Sequence, residues 1–186
     1  MKVCSSFSLS ASCSRSTAAR RIGPLAEVCE GVVGYFDGAS NAGACGAVIV
    51  IIVDSLISFR LLMDSGYGTN TKSELLALWG LLFFAKYKNF PSLQIRGDFK
   101  VIIDWAMNKH EIHLVVLKHW LTRVKAFFRY FISLTFHHIY REFNELANDL
   151  SKRAIGLGTG FIRWEEYSGN LMTDSGSLHL YWSPLD

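Results

Sequence analysis

Gly34-Tyr35-Phe36-Asp37-Gly38-Ala39-Ser40 is the stretch from which the fold of this chain can be inferred. Its aromatic pair favours an extended backbone, and the apolar run Val32–Phe36 predicts a strand buried on both faces. An acid and a glycine follow this strand directly, so we expect a carboxylate at the rim of a central strand. The alternative is that Asp37-Gly38 only begins a turn.

The length and composition suit one domain with a sizeable core. The chain has 186 residues, of which 50% are hydrophobic and 13% aromatic, enough to bury a substantial interior. The longest aliphatic run, Val48–Val53, is too short to cross a membrane, so no membrane association is expected. The net charge of +3 permits a nucleic-acid partner without requiring one. All four cysteines lie at or before Cys45 without paired spacing, which argues against disulfide or zinc sites and favours a reducing compartment.

Residues 1–30 differ in composition from the rest of the chain. Met1–Arg21 is rich in Ser and Ala, contains four basic residues and has no acid, a composition typical of an organellar transit peptide. The alternatives are a disordered leader without a targeting role, or a start codon assigned upstream of the domain. We predict a domain over residues 31–157, followed by a C-terminal tail over 158–186 in which Ile162–Trp164 adds an edge strand.

The order of predicted elements indicates a mixed α/β fold. Strands are predicted at Val32–Phe36, Ala47–Val53 and Leu56–Met63, and short connections make these three antiparallel. A helix follows over residues 71–88, then a strand over 93–96 and helices over 98–106 and 115–129, then a strand over 133–139 and a helix over 144–154. Right-handed crossovers should place the fourth and fifth strands parallel beside the first. The prediction is a five-stranded sheet, three antiparallel strands then two parallel, flanked by helices.

Three acids fall where one predicted element gives way to the next. Asp37 and Asp98 end strands that should be parallel neighbours, so their carboxylates should emerge at the same edge of the sheet. Glu74 lies in the first turn of the helix expected to cover that sheet. Each acid also has a purely structural explanation, because Thr71-x-x-Glu74 matches a capping box and Asp98 suits a helix N-cap.

A cluster of three carboxylates requires compensation. Two such charges ~4 Å apart repel by about 1 kcal/mol in water and about 4 kcal/mol at an effective dielectric constant of ~20. The cluster would therefore be protonated or bridged by a cation, and oxygen ligands favour Mg²⁺ or Mn²⁺. Two such ions ~3.5–4 Å apart can activate a water and stabilise the leaving oxygen of a phosphodiester.

Four short motifs in this order resemble type 1 ribonuclease H, especially the reverse-transcriptase-associated domains common in plant genomes. They are Asp37-Gly38-Ala39-Ser40, Gly68-Thr69-Asn70-x-x-x-Glu74, Gly97-Asp98 and His138-Ile-x-Arg141-Glu142-x-Asn144. The resemblance spans residues 31–153 and implies a ribonuclease H-like fold. It implies an endonuclease that cleaves the RNA strand of RNA/DNA hybrids and leaves 3′-OH and 5′-phosphate ends. Its cofactor would be Mg²⁺, or Mn²⁺ as a substitute, with two ions when substrate is bound, and we expect a monomer.

The resemblance also implies roles for individual residues. Asp37 would bridge the metals, and Glu74 and Asp98 would complete the ligand shell. His138 would help to move a proton or the product, although a partly buried histidine at a strand end is the simpler explanation of that residue alone. Contacts with the minor groove and backbone of the hybrid are implied for four residues, where recognition depends on helix shape and the 2′-OH. These are Gly38, Ala39, Thr69 and Asn70.

The chain departs from the family pattern at two positions. Phe99 stands where the family has serine, and Asn148 stands at the fourth acidic position, with Asp149 one residue later. On a helix with an apolar stripe at Leu146, Ala147, Leu150 and Ala154, residues 148 and 149 flank the stripe on opposite sides. Asp149 therefore cannot replace the missing acid, and Asn148 would offer a metal only a neutral oxygen.

These departures predict a weakened enzyme. A rival hypothesis is a degenerate, retroelement-derived domain that binds nucleic acid without cutting it. A third is a fragment that lacks partner domains such as a reverse transcriptase.

Overall fold

A computed structural model describes residues 31–158 and 160–180. The predicted transit peptide lies outside these residues. The described part forms one sheet in the order β5-β4-β1-β2-β3-β6-β7. The strands are β1 (Val33–Asn41), β2 (Ala44–Ile52), β3 (Ile57–Tyr67), β4 (Ser92–Gly97), β5 (Ser133–His138), β6 (Phe161–Ser168) and β7 (Leu171–His179). The helices are α1 (Asn70–Tyr87), α2 (Lys100–Ala106), α3 (Val115–Ala126) and α4 (Glu145–Ala154).

The predicted topology is confirmed for the first five strands. β1, β2 and β3 are antiparallel neighbours, while β4 runs parallel to β1 and β5 runs parallel to β4. This arrangement brings the carboxyl ends of β1, β4 and β5 to the same side of the sheet.

The predicted number of strands is wrong, because the sheet formed by residues 31–158 and 160–180 has seven strands rather than five. β6 pairs with the free edge of β3, and β7 pairs with β6. The charged residues Arg163, Glu165 and Glu166 interrupt any apolar period in β6. Backbone pairing with β3, which a local hydrophobic pattern does not reveal, therefore defines this strand.

Two apolar layers hold the helices against the sheet. The larger layer includes Phe36, Ile49, Leu81 and Ile95, and lies between the sheet and helices α1, α2 and α3. The smaller layer lies on the opposite face, where Val48 and Val50 of β2 and their neighbours contact α4. No helix in the described ranges is long and apolar enough to span a bilayer.

Three local predictions near the acids are corrected by the structure. β1 does not end at Phe36, because Gly38–Ser40 continue to pair with β2. α1 begins at Asn70, and its N-cap is Thr69, whose side chain accepts a hydrogen bond from the Lys72 backbone N–H at 3.3 Å. The predicted capping box is therefore wrong. Phe99, not Asp98, precedes the first residue of α2. Glu74 and Asp98 therefore do not cap these helices, and capping does not explain why acids stand at these positions.

Candidate active site

Asp37, Glu74 and Asp98 meet beside the middle of β1, at the carboxyl end of β4. One carboxylate oxygen from each lies within 4.8 Å of the other two. Pairing of β1 with β4 ends at Tyr35, whereas β1 continues beside β2 alone. Asp37 therefore projects from inside β1, not from its end as predicted, but at the level where β4 has already ended.

The close approach of α1 to β1 brings Glu74 into this group. A Cβ atom on Gly38 would lie 2.3 Å from the backbone nitrogen of Glu74, so only glycine permits this packing. The Ser73 hydroxyl is buried between the two hairpin strands, 2.5 Å from the carbonyl oxygen of Gly46 and 3.1 Å from that of Ala39. The start of α1 is thus held against β1 and β2 by direct backbone contact.

Asn144 and His138 hold Asp98 in place from the other side. The Asn144 side-chain amide donates to the Phe36 carbonyl at 3.0 Å and reaches Asp98 Oδ1 at 3.4 Å. His138 Nε2 lies 3.1 Å from the backbone carbonyl of Asp98, and since a carbonyl only accepts, this nitrogen carries the proton. The middle of β1, the ends of β4 and β5 and the start of α4 are therefore connected around the acids.

Burial and mutual repulsion favour the protonated forms of two of the acids. Burial raises the pKa of Asp37 to about 6; a hydrogen bond with Ser151 opposes the shift and the charge of Asp98 adds to it. Burial, followed by the charges of Asp37 and Asp98, raises the pKa of Glu74 to about 9. Glu74 is only 3% exposed, and its Oε2 has no hydrogen-bond partner. A divalent cation would relieve the same repulsion as a proton and would satisfy this oxygen. The residues present therefore fit a hard divalent cation with oxygen ligands.

The acids lie in an open cleft of about 810 Å³. Of the residues predicted to contact substrate, Gly38, Ala39 and Asn70 line this cleft, and Thr69 does not. Thr69 instead caps α1 and so sets the position of Asn70, the first residue of the helix. His138 is exposed on the cleft wall, beside Tyr140.

Asn148 lies in the cleft and Asp149 does not. Asn148 is half-buried, and its Oδ1 accepts a hydrogen bond from the guanidinium of Arg141, whereas Asp149 is exposed on the outer side of α4. The predicted apolar stripe is partly wrong, because Leu146 is 47% exposed and Ser151 is fully buried. This difference turns the buried face of α4 by about 35° towards position 148.

Several residues of the cleft had no role in the sequence-based prediction. Arg141 and Lys152 line it and supply positive charge near Asp37. Ser151, whose hydroxyl donates to the Asn148 carbonyl at 2.9 Å, lies close enough to Asp37 to lower its pKa. A signal was present, since positions 144, 148, 151 and 152 share one face of a helix. Phe99 also lines the cleft and places an apolar ring where the family has a serine.

The chain is similar to known proteins in both sequence and fold. A family model described as reverse transcriptase-like matches residues 32–154. No curated protein matches the sequence.

Three solved structures resemble the fold. The RNase H1 of the halophilic archaeon Halobacterium salinarum has a TM-score of 0.61 at 23% identity, with 66% of this chain and 96% of that chain covered. LC11-RNase H1, isolated from compost by a metagenomic approach, was solved in complex with an RNA/DNA hybrid; its TM-score is 0.61 at 21% identity, over 67% of this chain and 96% of that chain. The N-terminal RNase H domain of a Mycobacterium tuberculosis protein has a TM-score of 0.60 at 20% identity, over 66% of this chain and 91% of that chain. At these identities the likeness shows a shared fold.

Proposed function

Because the chain belongs to the reverse transcriptase-like family of type 1 ribonuclease H-like domains, we propose that it hydrolyses the RNA strand of RNA/DNA hybrids. The convergence of Asp37, Glu74 and Asp98 in an open cleft is the observation that carries this proposal. The complex of LC11-RNase H1 with an RNA/DNA hybrid supports the choice of substrate. The proposed catalytic unit is residues 31–157, acting as a monomer.

The three carboxylates are the proposed ligands of a divalent metal. Glu74 is the best-prepared ligand, because its Oε2 is buried without a hydrogen-bond partner and its carboxylate lies within 4.8 Å of those of the two other acids. When bound, Mg²⁺, or Mn²⁺ in its place, would supply Lewis-acid activation of a water and charge stabilisation of the leaving oxygen. Asn148 lies at the margin of this site, where its neutral amide oxygen accepts a hydrogen bond from Arg141.

The remaining roles concern substrate and proton. Gly38, Ala39 and Asn70 form the wall on the α1 side, where the absence of bulky side chains admits the sugar edge of a hybrid. His138, on the opposite wall, is within hydrogen-bond distance of the Asp98 backbone and exposed to solvent. This position suits transfer of a proton to or from the departing strand.

Asn148 is the observation that favours a second candidate function. A chain that lacks one acidic ligand could retain the hybrid-binding cleft while losing the chemistry, as in a retroelement-derived domain that only binds nucleic acid. The two candidates differ in whether the RNA strand is cut.

The test is to incubate the purified chain with an end-labelled RNA/DNA hybrid in Mg²⁺, in Mn²⁺ and in EDTA. We expect cleavage of the RNA strand with either metal and none in EDTA, DNA duplex uncut throughout, and no cleavage by Asp37→Asn. Asp149→Asn is the matched control, because this acid is exposed outside the cleft and its loss should leave cleavage unchanged. Hybrid that is bound but intact with every metal would favour the second candidate, and absence of binding would refute both.

A further inference from the structure

We propose that the cleft holds a single divalent cation, and that the Arg141 guanidinium, anchored on Asn148, takes over the contact of a second cation with the substrate phosphate. This inference rests on the proposed function and names how its site is built. It departs from the pair of ions that the family resemblance implies.

The three carboxylates can all coordinate a single ion. In octahedral coordination, oxygen atoms ~2.1 Å from a Mg²⁺ lie at most about 4.2 Å apart. The oxygens of Asp37, Glu74 and Asp98 all lie within 4.8 Å of one another, so a small contraction brings them around one centre. Among the described residues that line the cleft, these three are the only carboxylates. A second ion would therefore have to share ligands that the first already uses.

Asn148 does not make up this deficit. Its amide is neutral, and its Oδ1 already accepts a hydrogen bond from Arg141. An ion at this oxygen would have to displace a guanidinium or sit beside it. Asn148 therefore holds the Arg141 guanidinium in place and does not serve as a metal ligand.

Fixed positive charge already faces the acids from α4 and the segment before it. Arg141 and Lys152 both line the cleft, and the charge of Arg141 acts on Asp37 and on Glu74. These charges oppose entry of a second divalent ion. The guanidinium of Arg141 is exposed, and its planar set of donors matches two oxygens of a phosphate. It can therefore reach a substrate phosphate that one metal ion alone would leave partly uncompensated.

The first test counts bound Mn²⁺ by electron paramagnetic resonance, with the free chain and with a nuclease-resistant 2′-fluoro RNA/DNA hybrid. We expect one ion per chain in both states, none for Asp37→Asn, and a second ion with hybrid for Asn148→Asp. Asp149→Asn, which adds no ligand to the cleft, should keep one ion. Two ions on the unsubstituted chain would overturn the proposal whatever the variants do, and so would a single ion on a folded Asn148→Asp variant.

The second test measures hybrid affinity in EDTA, where no metal contributes. Arg141→Gln should weaken binding about tenfold through loss of a charge-assisted phosphate contact, while Arg153→Gln, exposed on α4 outside the cleft, should change it little. Equal affinities for Arg141→Gln and the unsubstituted chain would refute the role of Arg141. Cleavage separates this inference from the proposed function: a chain that cuts hybrids with two ions refutes only the inference. A chain that binds hybrid and one ion without cutting refutes only the nuclease.

Discussion

Gly38 and Glu74 touch through their backbones, since a Cβ atom on Gly38 would lie 2.3 Å from the Glu74 nitrogen. This contact fixes the distance between β1, which bears Asp37, and the helix that bears Glu74. The proposed metal ligands Asp37 and Glu74 are therefore positioned by a glycine that has no side chain to contribute.

Gly38→Ala should accordingly disturb both stability and metal binding. Backbone cannot move aside as a side chain can, so we expect a loss of about 1–3 kcal/mol in the free energy of unfolding, as for an overpacked core. Mn²⁺ affinity should fall with it, which titration calorimetry would measure. Gly80→Ala is the control, because its Cβ would meet only movable side chains, those of Ile49 at 3.1 Å and Met63 at 3.6 Å. Unchanged Mn²⁺ affinity in Gly38→Ala would contradict the positioning role.

Asp37→Asn should stabilise the metal-free protein at alkaline pH. Burial raises the pKa of Asp37 from 3.8 to about 6, so its charged form costs on the order of 3 kcal/mol in the folded chain above that pH. A neutral amide avoids this cost. Melting in EDTA should therefore show a higher Tm for the variant at pH 8 and little difference at pH 4. A clear loss of Tm at pH 8 would instead support the turn-forming explanation of this acid.

The stability of the metal-free protein should fall as pH rises through the neutral range. Burial raises the pKa of Glu74 from 4.5 to about 9, so between these values the folded chain holds a proton that the unfolded chain has released. The contribution is fully present below pH 4.5 and is lost as pH rises towards 9. Saturating Mn²⁺ replaces the proton and should flatten this dependence. Chemical denaturation at a series of pH values would measure it, and Glu74→Gln should flatten the profile without metal. A profile in EDTA that rises over the same range would contradict the protonated cluster.

Asn148→Asp should raise cleavage at low Mg²⁺ concentration. One added carboxylate ligand is expected to improve metal binding by about 1.4 kcal/mol, which is about tenfold. Initial rates across a Mg²⁺ titration would show the midpoint move to lower concentration. Asp149→Asn should leave the titration unchanged, because that side chain points to solvent. If Asp149→Asn proved to be the damaging change, the orientation of α4 would be wrong.

Asn70→Ala should weaken hybrid binding and leave divalent-metal affinity intact. Asn70 lines the cleft at the start of α1 but is not one of the clustered acids. Thr71→Ala is the control, because Thr71 follows directly in the same helix and does not line the cleft. Fluorescence anisotropy with labelled hybrid and calorimetry with Mn²⁺ separate the two effects. An equal loss of metal affinity would mean that Asn70 organises the acids rather than the substrate.

The sequence was sufficient for the parts of this fold that local pattern controls. The alternation of helices and strands predicted the parallel placement of β4 and β5, and with it the meeting of Asp37 and Asp98. The sequence pattern predicted wrong element boundaries where a single tertiary contact determines them. Thr69 rather than Thr71 caps α1, because the packing of Gly38 and Ser73 sets where the helix must begin. The sequence predicts only a short edge strand at Ile162–Trp164, because the full length of β6 is defined by its pairing with the free edge of β3.

The side chains around the acids show the same division. The carboxylates could be found from their positions at the junctions of predicted elements, whereas the shared helix face of Asn148, Ser151 and Lys152 gave a weaker signal and Arg141 gave none. The roles of Ser151 and Lys152 depend on the rotation of α4, and that rotation follows from burial of Ser151 in place of Leu146. A pattern of apolar residues cannot predict this rotation, because it assigns a serine to the exposed face of the helix.

The bonds of Asn144 to the Phe36 carbonyl and to Asp98 have a consequence for biosynthesis. All three acids have been translated when the ribosome reaches residue 98. Asn144, whose side-chain amide links β1 to Asp98, is translated 46 residues later. Until α4 emerges from the ribosome, the face of β2 that it covers is bare and Asp98 lacks the side-chain contact that links it to Asn144. The proposed metal site is therefore complete only late in synthesis, once Asn144 and α4 have been added.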